Sequence, residues 1–185
     1  MRRLLFTGML LASPSQAHAQ SELEKGFLGA LVGCEEWILD PATWVDGPSP
    51  YLAKIGLGPN AGFVSQVSEQ NLPPPEFRRA NHYLRINSTP TAGFVLVVSD
   101  QVPMCHITGG GQTDLEPVVK TVLESPDFAK RWENMSDKTH DDIVTSEFRN
   151  RRSHSLSILI SRASASGGRV DRVQLIATAQ YALKK

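Results

Sequence analysis

The most informative segment of this chain is a short apolar run near its middle, Gly93-Phe94-Val95-Leu96-Val97-Val98. A strand with this pattern is apolar on both faces, which is typical of a position at the centre of a sheet. The segment His82-Tyr83-Leu84-Arg85-Ile86 precedes it, and the residues between the two runs are rich in Thr and Pro. Because such residues favour a turn, the two runs predict a β-hairpin.

More strands are predicted towards the C-terminus. A short strand is expected at 104–107 and should end at the glycines of 109–111. Three further strands are predicted at 143–148, 156–160 and 173–181, where apolar and polar residues alternate. This alternation, with Gln and Thr opposite Leu and Val, indicates a sheet that is packed on one side only.

Helices are predicted between and before these strands. Apolar residues at helical spacing follow the glycines, namely Leu115, Val118, Val119, Val122 and Leu123. Phe128 and Trp132, four residues apart, predict a second short helix. Near the N-terminus, Leu23, Phe27 and Leu31 lie on one face of a helix that is expected from Glu22 to about Cys34.

Together these elements predict an α+β fold. We expect an antiparallel sheet of about five or six strands with helices on one face, within residues 81–185. Residues 20–80 form a helical and Pro-rich N-terminal segment that packs on this sheet in the same single domain. Pro73-Pro74-Pro75 is a stiff extended stretch and marks the boundary between the two parts.

Residues 1–19 have the pattern of a cleaved signal peptide. Arg2 and Arg3 form a charged start, residues 4–12 are apolar, and Ala17-His18-Ala19 matches an A-x-A cleavage site. The alternative is an ordinary hydrophobic first helix. The pattern predicts an exported bacterial protein that is periplasmic or secreted, with Gln20 as its first residue after cleavage.

The two cysteines, Cys34 and Cys105, are predicted to form a disulfide bond. An exported protein with two cysteines enters an oxidising compartment, where pairing is the usual outcome. The alternative is a reactive thiol at Cys105 beside His106. Neighbouring residues on a strand point to opposite faces, which makes these two a poor thiolate–imidazole pair.

Composition argues against several classes of protein. The 185 residues contain 19 Lys and Arg against 19 Asp and Glu, whereas nucleic-acid binders usually have a basic excess. We find no run of about 18 apolar residues, so no integral membrane association is predicted. There is also no metal-binding spacing and no nucleotide-binding motif, so the sequence predicts no metal, no cofactor and no catalytic residues.

Two groups of residues are candidate binding sites. Glycines ahead of a helix can let an anion approach free amides, which makes a loop of Gly109, Gly110, Gly111, Gln112 and Thr113 one candidate; the alternative is a simple strand-to-helix turn. Arg149, Arg151 and Arg152 lie at a predicted hairpin tip and could meet an acidic partner; the alternative is a charged loop that prevents edge pairing.

These patterns favour a non-enzymatic binding domain that acts on a protein partner in the cell envelope or on a secreted protein. One alternative is a periplasmic hydrolase or transferase with a site near Cys105-His106 and the Gly109–Gly111 loop. A second alternative is a small-ligand-binding protein. The sequence leaves the oligomeric state open.

Overall fold

The computed structural model describes residues 14–40, 42, 45–47, 49–54, 60–167 and 173–181. The helices and strands of these residues are α1 (Pro14–Leu39), α2 (Ser49–Lys54), β1 (Ala61–Val64), β2 (Asn81–Ile86), β3 (Ala92–Ser99), β4 (Met104–Gly111), α3 (Glu116–Leu123), α4 (Pro126–Arg131), β5 (Trp132–His140), β6 (Ile143–Asn150), β7 (Leu156–Ala163) and β8 (Val173–Tyr181). Two 3₁₀ turns, Glu69–Asn71 and Pro75–Phe77, lie between β1 and β2. Residues 1–13, most of the predicted signal peptide, lie outside the described residues.

The strands form one antiparallel sheet with the order β1-β2-β3-β4-β8-β7-β6-β5. Each half of this sheet is a four-stranded meander, and α3 and α4 carry the chain from the central strand β4 to the far edge at β5. The predicted α+β class and the interior position of Gly93–Val98 in β3 are confirmed. The predicted number of strands was too low, because the sheet has eight.

The two edge strands, β1 and β5, were not predicted from the sequence. Strand β5 reads Trp-Glu-Asn-Met-Ser-Asp-Lys-Thr-His and is mostly exposed, so it lacks the apolar alternation of a half-buried strand. The prediction that Trp132 continues a helix was wrong, because α4 ends at Arg131. The glycines 109–111 were predicted to break the chain in a loop before a helix, but they are instead the last three residues of β4, which runs to Gly111.

The helices α1 and α3 pack together on one face of the sheet, which we call the helix face. Phe27 of α1 stacks on Phe94 of β3 with ring centroids 5.6 Å apart. A Cβ atom at Gly26 would collide with Ser88 Oγ and come within 3.2 Å of the Phe94 ring, so a larger residue here would require the Ser88 side chain to move. The predicted disulfide between Cys34 and Cys105 is confirmed, and it joins α1 to β4 on this face.

The opposite face, which we call the outer face, is covered on one half only. Residues 65–80, which we call the cover segment, cross it above β3 and β4. Thr108 Oγ1 of β4 donates a hydrogen bond of 2.9 Å to Asn71 Oδ1 of this segment. Pro73 of this segment is buried, and so are Val97 and His106 on the same face of the sheet. The Pro-rich segment thus supplies a second packed layer on the β1–β4 half.

A β-bulge in β8 positions the start of α3. Gly109 and Gly110 of β4 pair with Leu175 and Val173, which leaves Gln174 as the extra residue. The bulge turns its side chain inward, where Oε1 accepts from the Leu115 amide at 2.8 Å. Its Nε2 donates to the carbonyl oxygens of residues 111 and 113. Gln174 is therefore buried, although the alternation predicts it on the polar face.

Candidate functional site

A polar pocket of about 350 Å³ lies on the outer face, at the margin of the cover segment. It has the size of a small-ligand site. Its lining residues come from the cover segment and from strands β2, β3, β4 and β8 with their adjoining loops: Gln70, Asn71, Arg85, Asn87, Gly93, Phe94, Val95, Thr108, Gly110, Gly111, Gln112 and Val173. We call this site the outer pocket.

The floor of the outer pocket is low because two glycines face each other across it. Gly93 of β3 pairs with Gly110 of β4, so neither strand contributes a side chain at that point. In the next row on the same face, Val95 pairs with Arg85 on one side and with Thr108 on the other. The pocket is thus a gap in the side-chain layer, with an apolar floor and polar walls.

The polar side chains of the pocket wall differ in whether they are hydrogen-bonded within the protein. Asn71 accepts from Thr108 and donates from Nδ2 to Ser68 Oγ at 2.9 Å, so its amide is used within the protein. The Arg85 guanidinium has no hydrogen bond or ion pair with any other residue that the structure describes. The side-chain amides of Asn87 and Gln112 are exposed and likewise make no bond within the described chain. These groups keep their hydrogen-bonding capacity for a ligand.

Three of the five residues in the candidate glycine loop line this pocket, namely Gly110, Gly111 and Gln112. They do so at the end of a strand rather than in a loop before a helix. Gly109 points to the helix face, where a Cβ atom would press on Phe94. Thr113 lies outside the outer pocket, and its hydroxyl is 2.9 Å from that of Thr91.

The pair Cys105 and His106 does not form an accessible site. The two side chains lie on opposite faces of β4, and the sulfur of Cys105 is held in the disulfide. His106 is buried, and its Nδ1 is 2.9 Å from Thr178 Oγ1. Burial lowers the pKa of His106 to about 4, which keeps its imidazole neutral at physiological pH.

The three arginines of the predicted partner patch are engaged separately. Arg149 pairs with Glu133 at 2.8 Å across β5 and β6, and this hydrogen bond holds the pKa of the glutamate below its ordinary value. Arg151 donates to the carbonyl oxygen of residue 129 at 2.9 Å. Arg152 pairs with Asp40 at 2.7 Å, at the end of α1. The cluster therefore offers less free positive charge than the sequence suggests.

The β5–β8 half of the outer face is open to solvent in the described chain. Leu159 of β7 and Ile176 of β8 are large apolar residues that are 47% and 42% exposed. They are diagonal neighbours, because Leu159 pairs with Thr178 and Ile176 pairs with Ser161. Two exposed apolar residues among polar ones make a small patch, not a pocket.

Sequence analysis did not identify Arg85, Asn87 or Gln70 as site residues. Arg85 alternates with apolar residues in β2, which is the pattern of any solvent-facing strand position. Gln70 lies in a loop without a motif. No local signal distinguishes these residues, because the pocket arises only when the cover segment folds over the sheet.

Comparisons of the chain with protein families, with curated proteins and with solved structures found no match. Among the residues that the structure describes, no group of three His, Cys, Asp or Glu side chains is arranged to hold a metal ion. No helix in the described ranges has both the length and the apolar character that crossing a bilayer requires.

Proposed function

We propose that this chain is an exported, non-enzymatic binding domain whose ligand, or a group of whose partner, enters the outer pocket. The observation that carries the proposal is the chemistry of the lining, which combines one arginine, several amides, a threonine and glycines. Such groups bind and orient a ligand, and the lining residues that the structure describes include no carboxylate, imidazole or thiol that could act as a general base or nucleophile.

The geometry of the remaining candidate nucleophiles supports binding over catalysis. The hydroxyl of Thr108 donates to an amide oxygen, so no neighbouring base activates it. The sulfur of Cys105 is in a disulfide, and the imidazole of His106 is buried. The hydrolase alternative would therefore need a site built from other residues.

Export is the second part of the proposal. The disulfide between Cys34 and Cys105 is consistent with an oxidising compartment. Ala17, His18 and Gln20 are exposed, and the buried face of α1 begins at Leu23. Cleavage after Ala19 would thus remove none of the buried core residues that the structure describes, which is compatible with export by a cleaved signal.

A protein partner is the second candidate, and it is favoured by the open half of the outer face. Leu159 and Ile176 form an exposed apolar patch there, of the kind that a partner surface can cover. The partner would be another envelope protein or a secreted protein. In this case Leu159→Glu should abolish the interaction, whereas blocking the outer pocket should leave it unchanged.

The outer-pocket proposal is tested by a thermal-shift screen of polar small molecules against the exported form. Gln112 lies at the exposed rim, so Gln112→Trp should close the mouth without entering the core. The matched control is Gln180→Trp, which adds the same ring at an exposed position outside the pocket. A ligand at 100 times its Kd should stabilise the wild type by about 2.7 kcal/mol.

We expect this stabilisation to be lost in Gln112→Trp and kept in Gln180→Trp. Equal responses of both variants would contradict binding in the outer pocket. The enzymatic alternative would instead be favoured by hydrolase activity that copurifies with the protein and is lost in His106→Asn. A broad panel of hydrolase substrates would detect it.

A further inference from the structure

Resting on the proposed function, we infer that the outer pocket binds a carboxylate, with Arg85 as the residue that receives it. Among the lining residues that the structure describes, Arg85 carries the one formal charge, and none is Asp or Glu. The guanidinium has five N–H donors in a fork that matches a carboxylate. The site therefore selects for an anionic group.

The state of the other arginines makes Arg85 stand out. Four of the eight arginines that the structure describes pair with a carboxylate of the protein, as Arg78–Glu69, Arg131–Glu35, Arg149–Glu133 and Arg152–Asp40. Arg151 and Arg162 donate to backbone carbonyl oxygens, and Arg79 lies outside the outer pocket. Arg85 has no such partner within the described ranges and faces a concavity instead. A carboxylate supplied by a ligand would complete the same pairing that the protein makes elsewhere.

The charge of the described lining residues favours a carboxylate over a phosphate monoester. A single guanidinium balances one negative charge, whereas a phosphate monoester carries −1.5 to −2 at neutral pH. The neutral amides of Gln70, Asn87 and Gln112 line the same pocket as Arg85 and can donate to additional oxygens of the ligand. A hydroxylated monocarboxylate fits this set of donors.

Such a carboxylate has two sources, a small organic acid or the C-terminus of a peptide. Val95 and the facing glycines Gly93 and Gly110 give a floor on which either the carbon skeleton of an acid or an extended backbone can lie. Both sources would place a carboxylate at Arg85. They differ in the part of the molecule that extends out of the pocket.

Amide NMR spectra of the exported form test the inference with defined probes. The probes are sodium gluconate, sodium glucuronate, trialanine with a free C-terminus, trialanine amide, neutral glucose and inorganic phosphate. The variants are Arg85→Gln and, as the matched control, Arg79→Gln. Arg79 is an exposed arginine outside the pocket, so the second variant removes the same charge elsewhere.

We expect at least one carboxylate probe to shift the amide signals of Gly93, Gly110 and Gln112. Affinity should fall about tenfold or more in Arg85→Gln, because a charge-assisted fork is lost, and stay unchanged in Arg79→Gln. Binding of gluconate or glucuronate would identify a small acid. Binding of free trialanine but not of its amide would identify a peptide C-terminus.

Two results would overturn the inference, and they have different consequences for the proposed binding function. If glucose or phosphate shifts the pocket signals and no carboxylate does, the ligand class is wrong while binding in the pocket stands. If no probe shifts those signals, or if Arg85→Gln binds carboxylates as well as the wild type does, Arg85 is not a carboxylate receptor. The screen with Gln112→Trp then decides separately whether the pocket binds any ligand.

Discussion

Val97 and Leu159 lie in the same row on the outer face of the sheet, yet Val97 is fully buried and Leu159 is 47% exposed. The row runs across neighbouring strands, from Val97 to His106, Thr178, Leu159 and Glu147. His106 is 3% exposed, while Glu147 is exposed. One continuous hydrogen-bonded sheet therefore has a covered half and an open half.

The difference comes from the cover segment and not from the sheet itself. Strands on both halves pair in the same antiparallel way, and the helices lie on the other face. Residues 65–80 add a second packed layer to the β1–β4 half and leave the outer pocket at its margin. The packing of the cover segment on the sheet therefore forms both the second packed layer and the outer pocket.

The largest effect on the covered half should come from removing the disulfide. Cys34 and Cys105 are 71 residues apart in sequence, so the bond restricts a long loop in the unfolded chain. We expect Cys34→Ala combined with Cys105→Ala to lower the free energy of unfolding by about 4 kcal/mol. Urea unfolding of the double variant checks this value, and a loss below about 1 kcal/mol would mean that the bond contributes little.

Acid should weaken the covered half through His106. Its pKa is about 4 in the folded chain against an ordinary 6.5, so between these values the unfolded chain binds more protons. The contribution to stability is complete above about pH 6.5 and is lost as the pH falls towards 4, by about 3 kcal/mol in total.

Urea unfolding at a series of pH values checks this loss against His106→Asn, which has no titrating group. Carboxylates titrate in part of the same range in both proteins, so the difference between the two curves isolates the imidazole. If the free energy of unfolding depends on pH in the same way in the wild type and in His106→Asn, His106 does not bind a proton on unfolding.

The smallest loss of stability is expected for a substitution on the open half. We compare it with a substitution in the same row on the covered half. Val97→Ala removes buried methyl groups and should cost about 2 kcal/mol. Leu159→Ala removes a half-exposed side chain and should cost less than about 0.5 kcal/mol. Thermal or urea unfolding of both variants measures the contrast, and equal losses would mean that the open half is also covered in solution.

Much of the fold followed from local patterns. Apolar runs and apolar–polar alternation predicted six of the strands, and the apolar run at 93–98 correctly indicated an interior strand. Helical spacing predicted α1 and α3, and the presence of two cysteines predicted their pairing. These predictions held because each depends on which face of one element is buried, and that information repeats within the element itself.

The errors occurred where burial depends on a distant part of the chain. Edge strands β1 and β5 are paired on one side only and need little apolar sequence. Gln174 has the polar character of a surface residue, but a bulge turns it into the core. Glycines 109–111 resemble a loop, yet they serve close packing on one face and a pocket floor on the other.

Sequence alone thus indicated the class of fold, the disulfide, the export pattern and the three glycines that proved to lie at or beside the pocket. Tertiary structure decided that His106 is sealed, that Arg85 faces a cavity and that half of the outer face is covered. The reason is that these features rest on contacts such as that between Asn71 and Thr108, which lie 37 residues apart. No periodicity within a strand or a loop encodes which distant segment will lie on it.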